Sequence, residues 1–154
     1  MPEWPGRCKI PLMSSIHLEP DTRDQIAAAL ARDGWIVACL CAAWCGTCSS
    51  YGAAFDALAA RHPDKTFIWI DIEDQADVVG DLDVENFPTL LLQRGDQVAF
   101  FGTMLPDPNV ADRLVQAQAA LSDDELARQA VSTAERRQWQ SECNLRVLFA
   151  NAGE

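Results

Sequence analysis

Ala43-Trp44-Cys45-Gly46-Thr47-Cys48 separates two stretches of different periodicity. Before it runs Trp35-Ile36-Val37-Ala38-Cys39-Leu40-Cys41-Ala42, an apolar run of the kind that forms a strand buried on both faces. After it, Tyr51, Ala54, Phe55, Leu58 and Ala59 recur at helical spacing between Ser49 and His62. Two cysteines therefore fall where a strand ends and a helix begins. The first backbone N–H groups of a helix are unpaired and its dipole is positive there. A thiolate is favoured at such a place, and the thiolate is the nucleophile. Cys45, at the helix tip, is expected to be the attacking thiol. Cys48, one turn on and on the inner side, can reach back to close a small disulfide ring and is expected to be the resolving thiol. The same spacing also serves zinc sites, so a bare CxxC leaves a metal open. Cys39 and Cys41, two apart on a strand, point to one face. Four thiols, Cys39, Cys41, Cys45 and Cys48, could then surround a zinc ion, which is the rival reading of this stretch.

Working outward, Ile16 and Leu18 alternate about His17 as a weak edge strand, and Asp21 or Thr22 can cap a helix to about Arg32, with Ile26, Ala29 and Leu30 inward and Gly34 ending it. Pro63 and Asp64 break the helix that follows the cysteines, and Thr66 to Ile72 is a second buried strand. Glu73 to Leu82 reads as a short helix. Asp71 to Glu85 holds seven acidic residues and no basic one, either a solvated face or a patch that selects basic partners. Leu90 to Gln93 and Gln97 to Phe101 form a hairpin about Arg94-Gly95-Asp96. Asp107 and Pro108 open a helix with Val110, Leu114, Ala117 and Leu121 on one face. Ser122 and Glu125 make a capping box for one more helix, to about Gln140, followed by a short apolar tail with Leu145, Val147, Leu148 and Phe149. The order βαβα, then a hairpin and a helix, gives an α/β chain: a central mixed sheet with helices on both sides. The expected organisation is a loose arm over residues 1–13, a domain over 14–121 and a helical extension over 122–154 that packs on the core or forms a dimer or partner surface.

Composition narrows the function. Twelve basic against 23 acidic residues give a net charge of −11, which disfavours nucleic acid and anionic membranes as partners. No apolar run approaches the ~20 residues of a membrane span, and the first thirteen residues lack the apolar core of a secretory signal. Six cysteines, four of them within ten residues, do not resemble a secreted disulfide framework, and a reducing cytoplasm is expected. His17 and His62 belong to no nucleophile–base pattern, and there is no phosphate loop or dinucleotide fingerprint, so no cofactor is expected.

Ala43-Trp44-Cys45-Gly46-x-Cys48, the strand end Ile70-Asp71-Ile72, Phe87-Pro88-Thr89, and Gly95 and Gly102 bracketing a hairpin together resemble the thioredoxin family over roughly residues 16 to 121. The resemblance implies the thioredoxin-like three-layer α/β/α fold and a thiol–disulfide oxidoreductase that reduces protein disulfides through Cys45 and Cys48. It implies disulfide-containing protein substrates, and thioredoxin reductase or another thiol reductant as the electron source. It implies that Pro88 is cis and packs beside the cysteines, that the backbone before it pairs with an extended substrate, and that Trp44, Gly46, Thr47 and Phe87 shape the contact. The sequence departs from the family at four places. Thr47 stands where proline is usual. Phe87 is bulkier than usual. Cys39 replaces a buried aspartate that handles the proton of the buried thiol, and Trp69 replaces a lysine. Cys39 is therefore expected to tune the redox site as a protonated, small apolar filler, with slower turnover as the consequence. A non-catalytic assembly or chaperone factor, using the groove and the C-terminal segment to hold a partner, is the other reading left open.

Overall fold

Strand β2 (Trp35–Cys41) is buried at all seven residues. It is the middle strand of a five-stranded sheet whose order is β1-β3-β2-β4-β5, with β1 (Ile16–His17), β3 (Thr66–Asp71), β4 (Thr89–Arg94) and β5 (Gln97–Thr103) around it. The computed structural model describes residues 15–32, 34–42, 45–79, 82, 84 and 86–152. The expected arm, Trp44, and the acidic residues Asp81, Asp83 and Glu85 lie outside these. Strands β1, β3 and β2 run parallel, β4 runs antiparallel to β2, and β5 runs antiparallel to β4. Gly95, at φ 59°, makes the tight β4–β5 turn.

Alternation along β2 sends its side chains to two cores. Ile36, Ala38 and Leu40 join Ile26 and Leu30 of α1 (Arg23–Leu30) and Val78 and Val79 of α3 (Ala76–Val79). Trp35, Val37, Cys39 and Cys41 join Tyr51, Phe55 and Leu58 of α2 (Gly46–Arg61) and Ala111 and Val115 of α4 (Pro108–Ala119). Each large apolar side chain buried this way contributes roughly 1.5–3 kcal/mol. The cysteine-bearing helix is thus held by a full layer of packing, and its C-terminal end is tied to α4 by His62 Nε2 and Asp112 Oδ1, 2.7 Å apart.

Several expectations need correction. Thr22 stands at the N-cap of α1 without capping it, because its hydroxyl donates to His17 O (2.6 Å) and accepts from Glu19 N–H (2.9 Å) in the preceding turn. Of the helix expected over 73–82, the described residues show the four of α3, with Glu73 to Gln75 outside it. Asp71 Oδ1 accepts from the N–H groups of Glu73 (2.9 Å) and Asp74 (3.1 Å), which holds the start of that segment in a turn. Helix α4 buries Ala111 and Val115 and leaves Ala117 exposed, so its inner face is turned from the expected one. The single helix expected over 122–140 is two, α5 (Asp123–Ala130) and α6 (Ala134–Glu142), because Thr133 adopts an extended conformation and caps a new start by accepting from Arg136 N–H (3.0 Å). The apolar tail is a further helix, α7 (Leu145–Ala152).

These last helices wrap the edge of the sheet. Leu126 of α5 enters the core on the α2 side, and Trp139, Cys143, Leu145 and Leu148 enter the core on the α1 side. Between them, side chains pair with the open edge of β5. Gln140 accepts from Val98 N–H (2.8 Å) and donates to Val98 O (2.9 Å), and Gln129 and Arg136 donate to Ala99 O, each at 3.3 Å. An unpaired strand edge is a template for foreign strands, and the C-terminal segment occupies this one.

Candidate active site

Cys41 closes strand β2, Cys45 is the N-cap of α2, and Cys48 sits in the first turn of that helix. Cys45 N–H donates to Ala42 O (3.0 Å), and Ser49 N–H donates to Cys45 O (3.2 Å) to begin the helix. The Cys45 side chain makes no capping hydrogen bond. Cys45 is half-buried, Gly46 and Thr47 are exposed, and Cys48 lies beneath them at 2% exposure. Among the described residues, a methyl group at Gly46 would meet nothing within 4 Å beyond its chain neighbours.

The disulfide present joins Cys48 to Cys41, with Cα atoms 5.8 Å apart, and leaves Cys45 a free thiol. The ring expected between Cys45 and Cys48 is not the one closed here. The physical reason is the alternation of β2: Cys39 and Cys41 both face α2, and Cys48 points inward from the first turn of α2 onto the strand end. The separation falls within the range a disulfide spans without moving the backbone. In this disulfide form two of the four sulfurs of the rival metal reading, Cys41 and Cys48, are bonded to each other. Among the described residues, no group of three or more His, Cys, Asp or Glu side chains is arranged to hold a metal ion.

Cys39 is fully buried, with its Sγ 3.8 Å from Cys41 Sγ. Burial raises its pKa far above the ordinary thiol value, so it is protonated at neutral pH. Trp69 pairs in register with Cys39 on β3, its ring edge-on to Phe55 and stacked on His17. The lysine position of the family is thus filled by aromatic packing. The Phe87–Pro88 bond is cis. Pro88 is buried, and its carbonyl accepts from Met104 N–H (2.9 Å). Phe87 and Cys45 both pack, half-buried, against the cluster that contains Cys39, Cys41 and Cys48. Tyr51 belongs to the same cluster. Burial chiefly, with the negative charge of Asp107, pushes its phenol up to about 12.

A family model described as Thioredoxin matches residues 16–116. The chain belongs to the thioredoxin family. A "Putative thioredoxin 2" of Streptomyces coelicolor is 27% identical over 115 residues, which cover 73% of this chain and 83% of that one. By structure, the thioredoxin of Trypanosoma brucei brucei superposes with a TM-score of 0.59 at 19% identity, over 72% of this chain and 96% of that one. Thioredoxin f2, solved in complex with ferredoxin:thioredoxin reductase, gives 0.59 at 18% identity, over 70% and 96%. The fold is the thioredoxin fold, and the general chemistry of the chain is thiol–disulfide exchange. No described helix is long and apolar enough to cross a membrane.

In the sequence Cys41 reads only as a metal ligand; the one mark of its contact with Cys48 is Cys39-x-Cys41, which places it on the α2 face at the strand end.

Proposed function

We propose that this thioredoxin reduces disulfides in protein substrates through the Cys45–Cys48 dithiol. The observation that carries the reading is the placement of Cys45: a half-exposed free thiol at the N-cap of α2, directly above a buried second cysteine. In the fully reduced protein, the Cys45 thiolate attacks one sulfur of a substrate disulfide and the other leaves as a thiolate. Cys48 then attacks Cys45 Sγ. The Cys45–Cys48 bond forms, the mixed disulfide breaks, and the second substrate sulfur leaves and takes up a proton.

Gly46 and Thr47 are exposed beside the attacking sulfur, and Phe87, joined to Pro88 by a cis bond, packs against the cysteine cluster. With Trp44 they form the proposed contact surface for an extended substrate segment, which the backbone before Pro88 receives by strand addition. Cys39 tunes the site by staying protonated beneath it. The electrons come from a thiol reductant. A flavin-dependent thioredoxin reductase is the class proposed, and the reductase complex of thioredoxin f2 supports a reductase as the kind of partner. Four thiols within ten residues suit a reducing cytoplasm.

Covalent trapping tests the roles. Cys48→Ser is expected to accumulate substrate mixed disulfides that dithiothreitol releases, and Cys45→Ser to accumulate none. Equal trapping by Cys45→Ser would overturn the assignment.

A further inference from the structure

The Cys41–Cys48 bond takes no part in the reaction above. We propose that Cys41 is a third redox-active cysteine, which takes Cys48 over from the Cys45–Cys48 disulfide and leaves Cys45 as a free thiol on an oxidised protein. The inference rests on the dithiol reading and extends it.

The placement of the three sulfurs carries the argument. Cys48 is 2% exposed and Cys41 1%, so the bond between them is sealed under α2, whereas Cys45 stays at the surface. Cys48 occupies the middle of the chain of sulfurs, one turn from Cys45 along the helix and 5.8 Å, Cα to Cα, from Cys41 on the strand. Behind Cys41 lies the Cys39 sulfur at 3.8 Å, where a protonated thiol donates an S–H to a developing Cys41 thiolate.

The step balances without an external oxidant. The Cys41 thiol loses its proton, and its sulfur attacks Cys48 Sγ in the Cys45–Cys48 disulfide. The Cys41–Cys48 bond forms and the Cys45–Cys48 bond breaks. The electron pair leaves on Cys45, which takes up one proton. One disulfide and one thiol are present before and after. In the resulting state Cys45 can still attack a disulfide, but Cys48 is engaged and cannot resolve the product. Oxidised protein therefore holds a partner through Cys45 until Cys41–Cys48 is reduced, and reduced protein turns over.

Disulfide mapping tests this. The reduced full-length protein is treated with one equivalent of diamide, quenched in acid at intervals, blocked with N-ethylmaleimide and cut with chymotrypsin. Cleavage after Leu40 and Trp44 separates Cys41 from the peptide that carries Cys45 and Cys48. An early Cys45–Cys48 product is expected to decay as a cross-linked pair of peptides grows, with N-ethylmaleimide on Cys45. The final product is expected to be held as a mixed disulfide when glutathione disulfide is added. A wild-type end state of Cys45–Cys48 with blocked Cys41 would overturn the proposal. So would Cys41–Cys48 forming as fast in Cys45→Ser as in the wild type, since no transfer through Cys45 would then be needed. Cys41→Ser and Cys41→Ala are each expected to stop at Cys45–Cys48 and to reduce insulin. If they fold but do neither, the dithiol reading itself falls, and this inference with it.

Discussion

Cys39 Sγ lies 3.8 Å from Cys41 Sγ, with both residues at 1% exposure or less. A thiol fits there because its neutral form costs little to bury. A carboxylate at the same place loses its water and is costly to bury. Cys39→Asp is expected to lower stability at pH 7 by about 3 kcal/mol or more. Where it folds, it should speed resolution by Cys48, because it supplies the proton acceptor that the thiol cannot. Urea unfolding and insulin reduction measure the two effects. Unchanged or slower turnover in a folded variant would show that proton transfer at this position does not limit the reaction.

Cys143 links stability to alkaline pH. Burial first, and the Glu142 carboxylate second, push its thiol from 9.0 up to about 12. A raised folded value means that the native state keeps a proton which the unfolded chain gives up above about pH 9. Stability from this group is therefore complete below pH 9 and is lost as pH rises toward 12. Cys143→Ala should show a shallower fall in unfolding midpoint between pH 9 and 10.5 than the wild type, both kept reduced, and a parallel course below pH 8. Identical slopes would remove Cys143 from the linkage.

Gln93 fastens the C-terminal helices to the sheet. It is fully buried in β4, donates to Gly95 O (3.0 Å) and Asn144 Oδ1 (2.8 Å), and accepts from Leu145 N–H (2.8 Å). Asn144 in turn donates to the backbone oxygen and the Oδ1 of Asp96, both at 3.0 Å. Gln93→Leu keeps the volume and strands the Leu145 N–H. The expected cost is about 1–3 kcal/mol, with faster amide exchange at Leu145 than in the wild type. Exchange at Leu145 left unchanged would mean that the network does not hold this junction.

The sheet was legible because its signals are dense. Trp35 to Ala42 has no polar residue to mistake for a surface, and Thr66 to Ile72 and Leu90 to Gln93 follow at spacings that allow few topologies. The helix faces were less legible. Val110/Leu114 and Ala111/Val115 are adjacent stripes of similar hydrophobicity, and only the packing partner of α4 chooses between them. Gln93, read as the polar end of a strand, is a core residue because Asn144, 51 positions later, returns to pair with it. The same non-locality hides Cys41. A cysteine on a strand carries no mark of which sulfur will lie across from it until α2 is laid over the sheet.

The order of attack is the central claim, and insulin reduction by the wild type, Cys45→Ser and Cys41→Ser at pH 7 with a dithiol reductant tests it most directly. Wild type and Cys41→Ser are expected to reduce insulin, and Cys45→Ser, shown to be folded by circular dichroism, to fall to the rate of the reductant alone. Wild-type turnover by Cys45→Ser together with none by Cys41→Ser would contradict the account, and would place the redox pair at Cys41 and Cys48.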